Sequence, residues 1–113
     1  MILAFFVLNI LHMFYIYILY SKIADKYYVG QTPDVEKRLL EHNSPCVSSK
    51  FTAKYIPWEL VLHFPVTSDR VDVMKIEKFI KDQKSRKFII QLIGNNGNPE
   101  FFNKLIKDII HCG

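Results

Sequence analysis

Cysteine is almost missing from this chain of 113 residues: Cys46 and Cys112 are all it has. Two thiols so far apart supply neither a disulfide framework nor the paired ligands of a zinc site, and a reducing, cytoplasmic setting suits them. The adjoining His111-Cys112 pair reads as a frayed terminus. Charge is missing from Met1 to Tyr20, a stretch with the length of a membrane span, about 20 residues. That stretch also lacks a basic n-region and an obvious small-residue cleavage site, which argues against an ordinary signal peptide. Its second part, Phe14 to Tyr20, reads better as a strand, and Met1 to Met13 alone is too short to span. We therefore expect residues 1–13 to be an apolar N-terminal extension, with Met13 as the true start, in preference to a membrane anchor. Internal repeats, low-complexity tracts and any motif for reading bases are absent too.

What the chain does have is apolar mass. Hydrophobic residues make up 50% and aromatics 14%, enough to bury a core as one domain rather than remain disordered. Fifteen Lys and Arg against eleven Asp and Glu leave a formal charge of +4. That excess suits a polyanionic partner without establishing one.

Aromatic and β-branched residues make Phe14 to Tyr20 and Lys26 to Gln31 strands, joined by the short polar Ser21 to Asp25 in an antiparallel hairpin. Period-two alternation puts Tyr15 and Tyr17 on one face of the first strand, and Tyr28 and Gly30 on one face of the second. Thr32-Pro33-Asp34 predicts a helix start with Thr32 as N-cap, running to about Asn43. Val35 and Leu39 form its inner stripe, while Asp34, Arg38 and His42 repeat every four residues on another. Ser48 to Tyr55 is a polar, basic connection with room for one helical turn. Trp58 to Val66 is a third strand, and Pro65 predicts an edge position or a strand end. Helices follow from Asp69 to Asp82, with Thr67 and Ser68 offering caps, and from Ser85 to Ile93. Gly94-Asn95-Asn96-Gly97 breaks the chain before a last helix from Asn98-Pro99-Glu100 to about Ile110.

Glu77 is the most informative single position. Val73, Met74, Ile76 and Ile80 mark the buried side of their helix, and Glu77 falls on that side as well. A lone buried carboxylate is costly unless a cation or several donors compensate. It is either a salt-bridged or outward-reaching carboxylate, or a ligand for Mg²⁺, which prefers hard oxygen donors. Arg38 and His42 lie one turn apart on a helix whose N-terminus follows Gly30, a natural place for a phosphate. The plainer alternative is a solvated stripe with Asp34 and Arg38 paired. Tyr15, Tyr17, Tyr27 and Tyr28 suit a packed strand. A phenol serves as a general base only where a nearby cation lowers its pKa from about 10. Gly30 marks a bend or a close backbone approach. The run Lys75, Lys78, Lys81, Lys84, Arg86 and Lys87, extended by Lys50 and Lys54, is a solvated face unless it borders the tyrosine cleft. There it becomes a track for backbone phosphates.

Taken in order, these residues resemble the GIY-YIG nuclease superfamily, over about Phe14 to Ile93. The resemblance is closest to its short stand-alone bacterial members, which are related to the N-terminal nuclease domain of an excision-repair incision enzyme. Tyr15-Ile16-Tyr17 resembles the first signature triplet and Tyr28-Val29-Gly30 the second. Thr32, Arg38, His42 and Glu77 follow at the family's spacing. The resemblance implies an α/β (α+β) fold, a three-stranded antiparallel sheet flanked by helices. It also implies a DNA endonuclease of repair or recombination using a one-metal mechanism, or else a nucleic-acid-binding domain with little cleavage. Its cofactor would be Mg²⁺ or Mn²⁺ on Glu77, with no small-molecule cofactor, and its partner structured or double-stranded DNA. Catalysis would fall to Tyr17, Tyr28, Arg38, His42 and Glu77, with DNA held by Lys50, Lys54, Lys84, Arg86 and Lys87. Three departures concern turnover and substrate more than fold. Tyr15 replaces the first triplet's glycine, Gln31 stands where repair-type members often carry lysine, and Ile89 lies near the place of a late asparagine. The expected layout is an extension at 1–13, a nuclease-like domain at 14–93, and a linker and helix at 94–113.

Overall fold

The computed structural model describes residues 12–48 and 50–111, so all but the last residues of the apolar extension lie outside the described residues. The elements run β1 (Phe14–Ser21), β2 (Lys26–Thr32), α1 (Val35–His42), α2 (Lys50–Ala53), β3 (Trp58–Thr67), α3 (Arg70–Asp82), α4 (Arg86–Gly94) and α5 (Pro99–His111). This is the α+β fold expected, one three-stranded antiparallel sheet with five helices among the described residues. None of those helices is long and apolar enough to cross a membrane.

The expected hairpin sets the register. β1 pairs antiparallel with β2, with Tyr17 opposite Gly30 and Tyr15 opposite Thr32. β3 pairs antiparallel on the other side of β1, giving the order β2-β1-β3. Pro65 therefore sits on an edge strand, where a residue lacking an N–H can be tolerated. Alternation along β1 sends Ile16 and Ile18 to one face and Tyr17 and Leu19 to the other, and all four are buried. Each fully buried side chain of this size contributes about 1.5–3 kcal/mol. On the first face Ile16, Ile18 and Val29 pack against Val73, Ile76 and Ile80 of α3, with α4 and α5 behind. On the second, Tyr17, Leu19 and Trp58 pack with Val35 and Leu39 of α1.

Plain alternation would turn Trp58, Leu60, Leu62 and Phe64 the same way. A register shift beside Ile18 and Leu19 intervenes: Ile18 opposes Leu62 but Leu19 opposes Leu60, leaving Val61 as an extra residue. The bulge reverses the facing. Trp58 and Leu60 join the tyrosine face, while Leu62 and Phe64 enter the opposite core.

Two helix starts differ from expectation by a residue or two. Thr32 still belongs to β2, so the cap of α1 passes to Asp34, whose carboxylate accepts the Lys37 N–H at 3.1 Å. Pro33 lies before the helix, and Thr32 Oγ1 closes a small turn by accepting the Asp34 N–H at 3.1 Å. Asp69, rather than Thr67 or Ser68, caps α3 through bonds from Val71 and Asp72 N–H at 2.8 and 3.3 Å. Met74, counted with the buried stripe, is 51% exposed. At about 100° per residue, it falls beyond a right angle from the centre of Val73, Ile76 and Ile80, whereas Glu77 falls within one.

The end of α1 is fastened to the sheet by its C-cap. Asn43 Nδ2 donates to the Trp58 carbonyl at 3.0 Å, and its Oδ1 accepts the Trp58 N–H at 2.6 Å. Trp58 Nε1 in turn donates to the Thr52 carbonyl at 2.9 Å, joining α2 to the same corner. Asn43→Ala removes both main-chain bonds and should lower the unfolding free energy by about 1–3 kcal/mol. Urea denaturation checks this, and a midpoint equal to the parent's would contradict it.

Candidate active site

The site begins with two strands that come unusually close. A Cβ built on Gly30 would lie 2.4 Å from the Tyr17 hydroxyl oxygen and 2.5 Å from its Cζ. The Tyr17 ring therefore lies across position 30, and only glycine leaves room for it. Of the two reasons offered for this glycine, close approach is the one the structure shows. Buried to 2% exposure, Tyr17 points its hydroxyl at α1, where Oη stands 2.8 Å from Nε2 of the buried His42.

Arg38, one turn earlier, acts on the same hydroxyl. A guanidinium carries donors only, so the acceptor available to the phenol's own proton is Nε2 of His42. Burial holds the His42 pKa below the ordinary histidine value, with the Arg38 charge adding to the effect, which keeps Nε2 able to accept. Burial also pushes the Tyr17 pKa up to about 12, with Arg38 partly opposing the rise. A cation does stand beside the phenol as a base would require, yet desolvation outweighs it. Tyr28 completes the cluster, its ring edge-on to His42 at 4.8 Å between centroids and 6.3 Å from the Tyr17 ring. Tyr28, Arg38, Glu41 and His42 line a hollow of about 250 Å³. Arg38 pairs with Glu41 at 3.6 Å instead of with Asp34, whose carboxylate is engaged as the cap. Tyr15 is directed elsewhere, toward His63.

Glu77 lies on α3 and lines a separate depression with Val71, Met74, Lys78 and Lys81, not the hollow of Arg38 and His42. Its side chain is 20% exposed and Oε1 lies 2.8 Å from Lys81 Nζ, one turn on. That ammonium also stands 5.7 Å from the centre of the Tyr28 ring, and the Glu77 charge is among those acting on Tyr17. The salt-bridge reading of Glu77 is thus present in the structure. No cluster of three or more His, Cys, Asp or Glu side chains forms among the described residues. A divalent cation would have one carboxylate, with water and phosphate oxygens completing its shell, an arrangement that Mg²⁺ accepts. The Lys81 ammonium on Glu77 marks the carboxylate as a place for positive charge, so the donor fits.

The basic residues divide. Lys84 and Arg86 line a depression with Tyr27 and Tyr28, but Arg86 is already held by Asp25 at 2.5 Å and lies over the Tyr27 ring at 4.9 Å. Lys54 and Lys87 are exposed, and the Lys50 side chain lies outside what is described. Two features of the site went unremarked in the sequence, Asn43 and the pairing of Lys81. The i,i+4 spacing of Glu77 and Lys81 was the available signal for the second.

The depressed His42 pKa has a pH consequence. Unfolded, His42 titrates near 6.5; folded, it titrates lower. Below 6.5 the unfolded chain therefore binds more protons, and this contribution to stability falls as pH drops toward the folded value. Denaturation midpoints should decline from pH 7 to pH 5, and His42→Asn should flatten the decline. An unchanged slope in that variant would contradict the assignment.

Comparisons with known proteins identify the family of this chain. Residues 13–89 match the GIY-YIG catalytic domain. A UPF0213 protein of Syntrophus aciditrophicus (strain SB) is 41% identical over 83 residues, covering 73% of this chain and 91% of that protein. No solved structure matches at a significant level. The match takes in both tyrosine triplets, Arg38, His42 and Glu77, and the chain belongs to the GIY-YIG family.

Proposed function

We propose that this protein is a divalent-metal-dependent DNA endonuclease, acting on structured or double-stranded DNA in repair or recombination. Residues 14–93 would form the nuclease unit, with the segment 94–113 a linker and a helix whose Phe102 and Ile106 pack into the same core. The observation that carries the proposal is the buried Tyr17 hydroxyl, fixed at 2.8 Å from His42 Nε2 and polarised by Arg38, behind the hollow that Tyr28, Arg38 and His42 line. A purely structural tyrosine needs no guanidinium beside its hydroxyl, nor a carboxylate within electrostatic reach.

Glu77 would hold Mg²⁺ or Mn²⁺, releasing Lys81. When bound, the cation supplies Lewis-acid stabilisation of the phosphate charge. Arg38, on the rim of the hollow, neutralises the charge that grows on the scissile phosphate. Tyr17 takes a proton from the attacking water while passing its own to Nε2 of neutral His42. Such a relay avoids a free phenolate, and so suits a phenol with a pKa of about 12. Tyr28 holds the His42 ring edge-on and faces the water. Lys54, Lys84 and Lys87, with Lys50, would hold backbone phosphates, and Arg86 would contribute through its outer edge.

The test is cleavage of plain duplex, flapped and branched DNA with Mg²⁺ or Mn²⁺. Glu77→Ala and Arg38→Ala should each reduce the rate by at least about 10²-fold, with thermal unfolding of each variant close to the parent's. Equal cleavage by parent and variants would sink the proposal. Tight binding without product, in both metals and at high protein, would instead identify a nucleic-acid-binding domain.

A further inference from the structure

A larger depression runs along the free edge of β2, between that strand, the end of α3, the start of α4 and α2. It encloses about 600 Å³, within the range of pockets that take a small molecule the size of a nucleotide. Three of its lining cations stand over rings, those of Tyr27 and Tyr28 in the lining and that of Tyr55 beside it. Lys26 stands 5.3 Å from the centre of the Tyr55 ring, Lys81 stands 5.7 Å from that of Tyr28, and Arg86 lies 4.9 Å from that of Tyr27. Among the lining residues, Lys26, Lys81, Lys84 and Arg86 are positive and Asp25 alone is negative. Asp25 is taken up by Arg86 and by the Tyr20 hydroxyl at 2.7 Å. Phe51 closes one wall, 53% exposed and edge-packed on Tyr55.

Two features set this depression apart from an ordinary basic surface. Lys84 follows α3 in the left-handed region, at φ 46, where a helix end ordinarily uses glycine. The residue at that position is a lysine, and it lines the depression. The second feature is continuity with the candidate active site. Tyr28 lines both this depression and the hollow of Arg38 and His42, while Lys81 lines it and holds Glu77. A strand bound at the hollow of Arg38 and His42 would pass to the depression across the shared Tyr28.

Resting on the nuclease reading, we infer that the β2-edge depression holds an unpaired nucleotide of the substrate strand. Its base stacks on Phe51 and its phosphate lies among Lys26 and Lys84. Stacking on aromatic rings tolerates any base, and interleaved cations track the backbone, as in proteins that bind single strands. A paired base cannot enter, because its face is covered by its neighbours in the duplex. The preferred substrate class is therefore DNA with a single-stranded arm or gap next to the cut, rather than uninterrupted duplex.

The test is fluorescence anisotropy with labelled forked DNA and a blunt duplex of equal length, in EDTA so that no cleavage intervenes. The parent should bind the fork at least tenfold more tightly. Lys26→Glu combined with Phe51→Ala should bring the ratio of the two affinities close to one. A 2-aminopurine at the first unpaired position should be quenched on binding to the parent, which reports stacking without any substitution. Equal affinity of the parent for fork and duplex, or an unquenched probe in a bound fork, would overturn the inference. If fork preference and quenching are present but no metal yields product, the depression stands and the nuclease reading falls.

Discussion

The ring of Tyr17 lying across Gly30 is the constraint on which the rest depends. A side chain at position 30 would occupy the space of the phenol, and the hydroxyl could not then stand 2.8 Å from His42. The contact fixes the height of α1 over the sheet as well as the direction of the phenol. Val35 and Leu39 seat the helix on Leu19 and Trp58, and Asn43 fastens its end to the Trp58 backbone. Trp58 faces that way only because the bulge at Val61 reverses β3. An apolar core on one face of the sheet thus leaves the other free to assemble polar groups at a fixed spacing.

Those polar groups are placed where burial and charge act against each other. Tyr17 is desolvated strongly enough that its proton is held more tightly than in water, even with Arg38 alongside. His42 is pushed the other way by the same burial and the same guanidinium. One group holds its proton and its neighbour keeps a free lone pair, so the resting pair is a neutral phenol donating to a neutral imidazole. Glu77 is linked to this region through Lys81, the lysine that neutralises it and also faces Tyr28. A salt bridge and a metal ligand are compatible uses of one carboxylate, since both need a cation at the same oxygen.

Much of this was legible in the sequence for a physical reason: strand alternation and helical spacing are local rules. They placed Tyr17, Tyr28 and Gly30 on one face, set Glu77 on the inner flank of its helix, and put Pro65 on an edge. Short-range competition decided what they missed. Thr32 was kept by the strand, leaving Asp34 to cap the helix, and Met74 lay too far around α3 to be buried. The bulge at Val61 could not be foreseen, because it appears only when β1 and β3 are matched residue by residue. The pair of hydrogen bonds between Asn43 and Trp58 spans fifteen positions, and nothing local announces it. The closeness of Lys26, Phe51 and Lys84 likewise depends on how three elements meet.

The central claim concerns one proton, carried by Tyr17 and accepted by Nε2 of a neutral His42. Long-range ¹H–¹⁵N correlation of the His42 ring at neutral pH reports both the charge and the tautomer. The account requires a neutral imidazole protonated on Nδ1, with an Nε2 resonance that moves when Tyr17 is replaced by Phe. An imidazolium, or a ring protonated on Nε2 and indifferent to that replacement, would contradict it.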